Sequence, residues 1–471
     1  MNALPPRYDF LVLGAGPAGQ KAAIQAAKTG KRVLLVDREA RAGGECVHRG
    51  TIPSKTLRES ALYLGGLKQR AAGLVDHDIG PKTKVESLMK RLHVVLTAHE
   101  SYIGQQIDRN QIERRRGRAR FVDAHTIEIA RIDGVKDRVE ADFIVVATGS
   151  RPRTPSDIPV DHEHVLDSDS ILSLIYLPHS LVVLGAGVIA CEFATIFQAL
   201  GVKVTMVDRG ERPLAFLDRE ITDLFVQQFE RLGGRFVAGA KHDSVEYDGV
   251  SRVRVKLSTG ETLDTEKVLV ALGRTASLGG LAIENAGLAP TERGFLAVDS
   301  NCRTTVPHIY AAGDVIGPPA LAASSMEQGR RAVRHALGLE LGPPPETIPA
   351  GIYTIPEMAS VGLSEADATK RHGSVVVGRA KFAELARGQI NGDVEGLLKL
   401  ICDPSGEHLV GAQILGEGAT ELIHLAQMAI VGRLPVSTFV ENVFNFPTLA
   451  EAYRVAALDV LEQRGRMRKV G

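Results

Sequence analysis

The stretch YDFLVLGAGPAGQKAAIQAA, residues 8–27, decides the fold of this chain. An apolar run typical of a buried strand leads into a glycine-rich turn, and an alanine-rich stretch of helical character follows. The turn carries Gly14, Gly16 and Gly19, and the next strand, RVLLVD, ends at Asp37. A strand, a glycine turn, a helix and a final acid together make the pattern of a dinucleotide-binding βαβ unit.

Each part of this pattern has a physical role in holding a dinucleotide. The glycines allow a tight turn and a close approach of the backbone to a pyrophosphate, and the helix N-terminus presents free N–H groups and a positive dipole end. The acid at the end of the second strand accepts a hydrogen bond from a ribose hydroxyl. A GxGxxG sequence alone is weak evidence for a nucleotide site. Here the flanking strand and acid favour a nucleotide site over a purely structural turn.

The same unit occurs a second time in SLVVLGAGVIACEFATIF, residues 180–197. Its motif positions are Gly185, Gly187 and Ala190, and the strand KVTMVD then ends at Asp208. Alanine is an accepted variant at the third position, because that position serves helix–strand packing. In both copies the acid follows the third position by eighteen residues (19 to 37, and 190 to 208). Two copies predict two dinucleotide sites with different occupants.

Further strands and a linker organise the rest of the chain. The runs IVVATGS and VLVALGR each predict a buried strand that ends in a glycine turn. The run HIYAAGD predicts a strand that ends at Asp314, and LAASSMEQGRRAVRHAL predicts a helix. PPPET, residues 343–347, is a linker, and a mixed α+β pattern follows it. The segment Ser60 to Ser101 predicts two amphipathic helices.

The composition restricts the class of protein. The chain has 471 residues with 44% hydrophobic and 24% charged residues and a formal net charge of zero, which is typical of a soluble globular protein. Zero net charge gives no reason to expect nucleic acid or acidic lipid as a partner. The basic clusters Arg114–Arg118 and Arg464–Lys469 are interpreted as a solvated strand edge and a frayed terminus. No signal peptide or membrane-length apolar run is visible, so we expect a cytoplasmic protein.

The four cysteines are scattered along the chain and have no metal-ligand spacing, so we expect no metal site. Their distribution fits a reducing cytoplasm. They are Cys46, Cys191, Cys302 and Cys402.

Six motifs, in this order, make the chain resemble the pyridine nucleotide–disulfide oxidoreductases along essentially its whole length. They are GAGPAG, the GGEC…IPSK segment, ATGSRP, the second GAGxxxxE, YAAGD and YTIPEMASVGLSE. The resemblance implies an α/β fold with two Rossmann-like dinucleotide-binding domains, for FAD and NAD(P), and a C-terminal α+β dimerisation domain. The expected boundaries are 1–150 and 275–345 for the FAD-binding domain, 151–274 for the NAD(P)-binding domain and 346–471 for the dimerisation domain.

The resemblance also implies cofactors and contacts. The first unit would bind FAD, with Asp314 on the flavin's ribityl chain, and the second would bind NAD(H) or NADP(H). Lys55 would act near flavin N5, paired with Glu192, where a fixed cation favours the electron-rich reduced flavin; an ordinary ion pair between domains is the alternative. The expected cofactor-binding residues are Gly14, Gly16, Gly19, Asp37, Arg38, Gly44, Cys46, Thr51, Thr148, Gly149, Gly185, Gly187, Ala190, Asp208, Arg209, Gly273, Gly313 and Asp314.

Two positions depart from the disulfide reductases. GGECVHRGTIPSK, residues 43–55, keeps Cys46 but has Thr51 where those enzymes have a second cysteine. NFPTLAEAYR has Phe446 where they have the histidine that serves as acid/base across the dimer. A disulfide needs two sulfurs and a thiolate needs a base, so disulfide reduction is hard to reconcile with this sequence. GTIPSK and FNFPTLAEAYRVAAL are similar to the soluble pyridine nucleotide transhydrogenases.

In that family NADPH passes hydride to the flavin and NAD⁺ collects it, so the same reaction is expected here, in a homodimer or a larger homo-oligomer. An NAD(P)H dehydrogenase that reduces a quinone, metal ion or dye is one alternative. A non-enzymatic redox sensor that uses Cys46 is another, although packing of that thiol as a small apolar group is favoured. His48 is expected to make a local structural hydrogen bond, with proton donation to the flavin or contact with a substrate as the alternatives. Glu451 is expected to cap a helix that begins near Thr448.

Asp208 bears on the choice of nucleotide. An acid at this position accepts a hydrogen bond from a 2′-hydroxyl and repels a 2′-phosphate, which favours NAD(H). Arg209 and Arg212 follow closely, and either would hold a phosphate if Asp208 turned away. The sequence therefore leaves the preference between NAD and NADP open.

Overall fold

The computed structural model describes residues 5–70 and 85–470 of the chain. The strands, in chain order, are β1 (Arg7–Leu13), β2 (Val33–Asp37), β3 (Glu113–Arg116), β4 (Arg118–Phe121), β5 (Thr126–Ala130), β6 (Lys136–Val146), β7 (Ser150–Pro152), β8 (Val165–Asp167), β9 (Ser180–Leu184), β10 (Lys203–Val207), β11 (Arg235–Val237), β12 (His242–Tyr247), β13 (Val253–Leu257), β14 (Thr262–Thr265), β15 (Lys267–Val270), β16 (Arg274–Ala276), β17 (Ile309–Ala311), β18 (Ala350–Ile352), β19 (Met358–Gly362), β20 (Val376–Lys381), β21 (Leu397–Cys402) and β22 (Leu409–Leu415). The α-helices are α1 (Pro17–Ala27), α2 (Gly44–His48), α3 (Thr51–Arg70), α4 (Val85–Arg109), α5 (Val188–Ala199), α6 (Arg219–Arg231), α7 (Ala322–Ala336), α8 (Glu365–His372), α9 (Ala386–Asn391), α10 (Ala419–Val431), α11 (Thr438–Glu441) and α12 (Glu451–Val470).

These elements form two compact units. Unit 1 comprises the described residues of Met1–Thr56, Glu86–Arg153 and Leu272–Pro344. Unit 2 comprises those of Leu57–Val85, Thr154–Ala271 and Pro345–Gly471. Unit 2 thus holds both the second nucleotide-binding motif and the C-terminal region. The division into three domains with the boundaries given above stays a prediction.

Unit 1 is built on a seven-stranded sheet in the order β3-β2-β1-β6-β5-β4, with β17 also paired to β6. The strands β1, β2, β3 and β17 run parallel to their neighbours in the sheet, whereas β4 and β5 are antiparallel. Both faces of β1 are buried, as a parallel strand with covered faces requires. Phe10 and Val12 pack among residues of α1 and α7, and Leu11 and Leu13 pack on the opposite side near Phe121.

The parallel pairing decides where the loops of unit 1 meet. Leu13, at the end of β1, is in register with both Val36 and Val146, and Val146 is also in register with Ala311. The carboxyl ends of β1, β2, β6 and β17 therefore lie at one edge of the sheet. This edge is where ligands bind in open α/β sheets.

Unit 2 contains a second parallel sheet, in the order β11-β10-β9-β15-β8, and a three-stranded antiparallel sheet, β12-β13-β14. Its C-terminal part is a five-stranded antiparallel sheet, β18-β19-β22-β21-β20, whose core includes residues of α10 and α12. The mixed α+β pattern predicted after the linker is confirmed by β20, β21 and α10.

The structure also bears on the predicted helices before β3, the first basic cluster, the strand before Asp314 and the basic C-terminal tail. The two predicted amphipathic helices are confirmed as α3 and α4, with residues 71–84 outside the described part of the chain. The basic cluster Arg114–Arg118 lies on β3 and at the start of β4, the two edge strands of the sheet, with mostly exposed side chains, as predicted. The strand expected to end at Asp314 ends at Ala311 instead, and Asp314 opens a 3₁₀ turn. The tail Arg464 to Lys469 lies within α12, which continues to Val470, and the expected fraying of this terminus stays a prediction.

Candidate functional site

The glycine loop of unit 1 packs directly against the loop that follows β6. Gly14 has a φ of 106°, and a Cβ there would collide with the carbonyl oxygen of Ala147. A Cβ on Gly19 would collide with the carbonyl oxygen of Gly14, so glycine at this position allows α1 to approach the loop. Gly16 is the N-cap of α1 and provides no side-chain hydrogen bond. The first turn of α1 therefore keeps the N–H groups and dipole that bind an anion.

Asp37 is held in a fixed orientation beside this loop. Its Oδ2 accepts the backbone N–H of Ala15 at 2.6 Å, and its Oδ1 accepts the N–H of Glu39 at 2.8 Å. The neighbouring Arg38 forms longer ion pairs with Glu39 (3.7 Å) and Glu45 (3.6 Å) and is about half exposed. The carboxylate is thus presented at the sheet edge, where a ribose hydroxyl would donate to it.

The segment that distinguishes this chain from the disulfide reductases follows. Gly44 begins α2 beside the Cα of Gly16, so α2 starts against the glycine loop. The Thr51 side chain hydrogen-bonds to the Cys46 thiol. Burial raises the pKa of the Cys46 thiol, while Thr51 and the Lys55 charge lower it only in part. Cys46 is therefore a neutral thiol at pH 7, paired with a hydroxyl.

His48 makes local structural contacts, as the sequence predicted. Its Nδ1 lies 3.1 Å from Glu100 Oε1, and its Nε2 lies 3.3 Å from the carbonyl oxygen of Arg41. Both ring nitrogens are thereby engaged by groups of unit 1.

The loops after β6 and β17 complete the edge. Thr148 carries a buried Oγ1 with no hydrogen-bond partner among the described residues. Gly149 accepts the N–H of Ser277 at 2.9 Å, and the N–H of Gly313 donates to Gln328 Oε1 at 2.9 Å. A buried hydroxyl without a partner costs about 1–3 kcal/mol, so the Thr148 side chain is explained if a ligand bonds to it.

The Asp314 carboxylate is also fixed by protein groups. Its Oδ2 accepts the Ser150 hydroxyl at 2.6 Å, and the Ser150 Oγ accepts Arg274 Nε–H at 2.8 Å. Ser150 and Arg274 lie within the motifs ATGSRP and VLVALGR, but the sequence alone indicates no role for either. Their position directly after β6 and β15, where polar residues reach a sheet edge, is the signal that was available.

These residues fit FAD. The uncapped N-terminus of α1 suits a pyrophosphate, and Asp37 suits the adenosine ribose. The buried Thr148 hydroxyl has no hydrogen-bond partner among the described residues. Asp314 provides a carboxylate whose Oδ2 accepts the Ser150 hydroxyl. All of them lie on loops at the carboxyl ends of strands of one sheet.

Unit 2 repeats the same construction at the carboxyl end of β9. Gly185 follows the strand, Gly187 is the N-cap of α5 without a side-chain hydrogen bond, and Ala190 is fully buried within α5. Asp208 Oδ2 accepts the N–H of Ala186 at 3.0 Å, and its Oδ1 accepts the N–H of Gly210 at 2.6 Å. Asp208 is therefore held beside its glycine loop in the way that Asp37 is held beside the first.

The two arginines near Asp208 differ in their availability. Arg212 donates to the carbonyl oxygens of Leu217 (2.9 Å) and Ala215 (2.7 Å) and to Thr222 Oγ1 (3.0 Å), so its guanidinium holds its own loop together. Arg209 is exposed and has no hydrogen bond or ion pair with any residue in the described ranges. Of the two, Arg209 is the exposed one, and its contact with a 2′-phosphate stays a prediction.

Glu192 lies buried on α5 and holds a segment of the C-terminal region. Its Oε1 accepts the N–H of Tyr353 at 2.9 Å, and one turn later Thr195 Oγ1 accepts the N–H of Ile355 at 3.1 Å. This contact was missed from the sequence, because it joins positions 161 residues apart. Lys55 belongs to unit 1 and Glu192 to unit 2, so their pairing stays a prediction.

Two more predicted positions have a clear structural setting. Gly273 has a φ of 103°, and its carbonyl oxygen accepts the N–H of Arg153 at 3.0 Å, within unit 1. The N–H of Thr448 donates to Glu451 Oε2 at 3.2 Å, which supports the predicted capping role of Glu451 at the start of α12.

Large apolar side chains are exposed in the C-terminal part of unit 2. Phe446, at the position of the missing histidine, is 70% exposed, and Val443 is 95% exposed. Leu425, Met428 and Val431 follow one another along an exposed side of α10. We call Leu425, Met428 and Val431 the α10 surface.

All four cysteines lie in the described ranges, and none forms a disulfide. Within residues 5–70 and 85–470, no three His, Cys, Asp or Glu side chains are grouped so as to hold a metal ion. Among the same residues, no helix has the length and apolar character needed to span a bilayer.

Comparison with known proteins identifies relatives over nearly the whole chain. The profile described as pyridine nucleotide-disulphide oxidoreductase matches residues 8–335, and that of the corresponding dimerisation domain matches residues 348–457. The chain is 43% identical over 459 residues to the soluble pyridine nucleotide transhydrogenase of Mycobacterium bovis (strain BCG / Pasteur 1173P2), with 97% of each chain covered. It is 41% identical over 467 residues to a protein of the same name from Hahella chejuensis, covering 97% of this chain and 99% of the relative.

Solved structures show the same architecture. The crystal structure of LpdA from Mycobacterium tuberculosis is similar, with a TM-score of 0.88, 29% sequence identity and coverage of 96% of this chain and 99% of that one. The Cu(II) complex of the HOCl-induced flavoprotein disulfide reductase RclA from Escherichia coli is similar with a TM-score of 0.87 and 27% identity, at the same coverage. These likenesses confirm the predicted α/β fold.

Proposed function

This chain belongs to the pyridine nucleotide-disulphide oxidoreductase family, and from that premise we propose that it transfers hydride between NADPH/NADP and NADH/NAD through bound FAD, without a redox-active disulfide. The Cys46–Thr51 pair carries the proposal. A sulfur relay needs a second thiol beside Cys46, and that place is taken by a hydroxyl. Cys191, Cys302 and Cys402 are buried elsewhere and form no disulfide. The relatives that share 41–43% identity bear the name of this activity.

The residues of unit 1 would hold FAD, which supplies the hydride acceptor and donor when bound. The first turn of α1 would bind the pyrophosphate, Asp37 the adenosine ribose, and Asp314 the ribityl chain. Thr148 would donate or accept one further hydrogen bond. None of these residues moves a proton in the proposal; they bind and orient.

Lys55 would provide a fixed positive charge near the reacting end of the flavin. Such a charge stabilises the negative charge that develops on hydride transfer. The Lys55 charge contributes to lowering the pKa of the Cys46 thiol, which supports its placement near that segment of unit 1. Within unit 2 the Tyr353 N–H orients the Glu192 carboxylate, and the pairing of Glu192 with Lys55 stays a prediction from the family resemblance.

One nicotinamide site would serve both nucleotides in turn. In the described part of unit 2, one glycine loop with an acid after the next strand is present, at Gly185 to Asp208. Donor and acceptor would therefore bind alternately, and the kinetics would be ping-pong. Asp208 favours NAD(H), and exposed Arg209 supplies the charge that lets NADP(H) bind as well.

We further propose a cytoplasmic homodimer. The match to the dimerisation domain and the α10 surface support the dimer, because exposed patches of large apolar side chains mark association sites. A second copy of this chain would cover that surface. Analytical ultracentrifugation tests the dimer, and a monomer at micromolar concentration would refute it.

Two measurements test the proposed function together. NADPH and thio-NAD⁺ should be turned over with parallel initial-velocity lines, whereas lipoamide and glutathione disulfide should not be reduced above background. In an anaerobic titration with dithionite, the protein should take up two electrons per flavin. Uptake of four electrons would show a second redox centre and would refute the proposal. Turnover with a quinone but not with thio-NAD⁺ would make the protein an NAD(P)H dehydrogenase instead.

A further inference from the structure

A short chain of hydrogen bonds connects Arg274, at the start of β16, through Ser150, at the start of β7, to Asp314. Arg274 Nε–H donates to Ser150 Oγ at 2.8 Å, and Arg274 Nη2 donates to the Ser150 carbonyl oxygen at 3.0 Å. The Ser150 hydroxyl then donates to Asp314 Oδ2 at 2.6 Å. All three residues belong to unit 1.

The chemistry of the three groups permits one direction only. A guanidinium has donors and no acceptor, so Ser150 Oγ must accept from Arg274. A carboxylate accepts and does not donate, so the hydroxyl hydrogen must point to Asp314. Ser150 is 4% exposed, which leaves water little access to compete for that hydrogen. Arg274 thereby decides the orientation of the Ser150 hydroxyl, and Ser150 decides which Asp314 oxygen is engaged.

The backbone keeps this arrangement rigid. Ser150 opens β7 and Arg274 opens β16, and these strands pair antiparallel with Ala276 opposite Ser150. The N–H of Ser277 donates to the carbonyl oxygen of Gly149 at 2.9 Å, which extends the pairing toward the loop that carries Thr148. The chain leaves unit 1 after Arg153 and returns to it at Leu272, so both strands are anchored where the chain crosses.

We propose that Ser150 and Arg274 are positioning residues for FAD, which fix Asp314 so that its second oxygen is presented to the flavin's ribityl hydroxyls. The proposal rests on the FAD binding proposed above. Neither residue touches the reacting atoms; each acts through Asp314. The Ser150 hydroxyl donates to a carboxylate, and hydrogen bonds to charged groups are stronger than neutral ones. Its loss should weaken FAD binding about tenfold to one-hundredfold.

The experiment measures the dissociation constant of FAD for the full-length apoprotein, from the change in flavin fluorescence on binding. Ser150→Ala should weaken binding by the stated factor, and Ser150→Thr, which keeps the hydroxyl, should bind within about threefold of wild type. Arg274→Met should weaken binding in the same direction. Arg151→Met is the matched control, because Arg151 lies next to Ser150 on β7 with an exposed side chain, and it should leave FAD affinity unchanged.

The double variant Ser150→Ala/Arg274→Met provides the sharpest readout. If Arg274 acts through Ser150, the double variant should bind FAD as Ser150→Ala does, because residues in one hydrogen-bond chain are not additive. Fully additive losses would overturn the proposal, and so would a Ser150→Thr variant as weak as Ser150→Ala. If Ser150→Ala fails to fold, unchanged affinity in Arg274→Met would overturn it.

The outcome also separates this inference from the proposed function. A wild-type protein that binds no FAD would remove the proposed function and the inference together. A wild type that binds FAD, with variants of equal affinity, would remove the inference alone.

Discussion

At the scale of single residues, the departure at Thr51 changes the chemistry available to Cys46. A second thiol there would provide a partner for disulfide exchange, whereas the hydroxyl provides a hydrogen bond. Burial keeps the Cys46 thiol protonated despite that bond and despite the nearby Lys55 charge. The thiolate is the reactive form of cysteine, so this environment argues against a redox sensor.

Labelling of Cys46 tests this environment directly. The pKa of the thiol is raised by burial, so its thiolate fraction at pH 7 is lower than that of an ordinary cysteine and grows only as the pH rises through that raised pKa. Iodoacetamide should therefore modify Cys46 more slowly than it modifies N-acetylcysteine at pH 7.5, as followed by mass spectrometry. Thr51→Val should slow the reaction further, because it removes a bond that lowers the pKa. Fast labelling at pH 7 would favour the redox-sensor alternative.

Lys55→Met should lower the rate of flavin reduction by NADPH about 10²–10³-fold, since loss of one well-placed electrostatic partner has that effect on a barrier. The FAD content should stay at the wild-type level, because the proposed FAD contacts lie on other residues. Lys55→Arg keeps the charge and should recover much of the rate. Stopped-flow spectroscopy measures each constant, and an equal rate in Lys55→Met and wild type would make the lysine structural.

Asp208→Asn should shift the preference, measured as the ratio of kcat/KM values, toward NADPH by about 10–100-fold, or ~1.4–2.8 kcal/mol. The amide removes a negative charge at the place where a 2′-phosphate would sit, and the shift should shrink with added salt. Arg209→Ala should move the ratio the opposite way. An unchanged ratio in both variants would show that neither side chain contacts the ribose.

At the scale of elements, sequence reasoning located the parts of the site that depend on neighbours in the chain. The glycine loops before α1 and α5 and the acids after β2 and β10 could be predicted because turn geometry and strand ends are local properties. The side-chain contacts that hold those parts in place could not be predicted from the sequence. Ser150 meets Arg274 across 124 positions, and Glu192 meets Tyr353 across 161, so only the folded sheet edges bring them together.

A buried ionic cluster in unit 2 also joins residues that are far apart in the sequence, so it could not be predicted from the sequence. The Lys399 side chain, on β21, is 2% exposed. Its Nζ lies 2.8 Å from Oδ1 of Asp218, the residue that caps the N-terminus of α6. The same Nζ lies 2.9 Å from Glu220 Oε2 and 2.6 Å from Glu365 Oε2. Burial opposes the charge, but the hydrogen bonds that the Lys399 ammonium donates to the three carboxylates raise the pKa of Lys399 overall. The cluster thus joins α6, which follows the Asp208 loop, to the C-terminal sheet.

Lys399→Met should destabilise the protein by about 3–5 kcal/mol, because it leaves the buried Asp218 carboxylate without its cation. Urea unfolding followed by circular dichroism measures this loss. The control is Arg254→Met, which breaks an exposed ion pair of 3.2 Å with Asp264 and should cost less than about 1 kcal/mol. Equal losses in the two variants would contradict a structural role for the buried cluster.

At the scale of the whole molecule, the chain carries two nucleotide-binding constructions of the same design, one in each unit. The first, with Thr148 and Asp314 added, fits FAD. The second keeps Asp208 fixed and Arg209 exposed, and in the proposed function it binds two nicotinamide nucleotides in turn. In the proposed function, Thr51 leaves Cys46 without a second thiol beside it, so hydride taken up from one nucleotide is expected to leave to another.

A double-mixing stopped-flow experiment tests this central claim most directly. The oxidised holoprotein is first reduced anaerobically with one equivalent of NADPH, and is then mixed with excess NAD⁺ while the flavin absorbance is recorded. We predict that NAD⁺ restores the oxidised flavin spectrum at a rate no slower than steady-state turnover, and faster than a quinone or lipoamide does. A flavin that stays reduced with NAD⁺ but is rapidly reoxidised by a quinone or a disulfide would contradict the account.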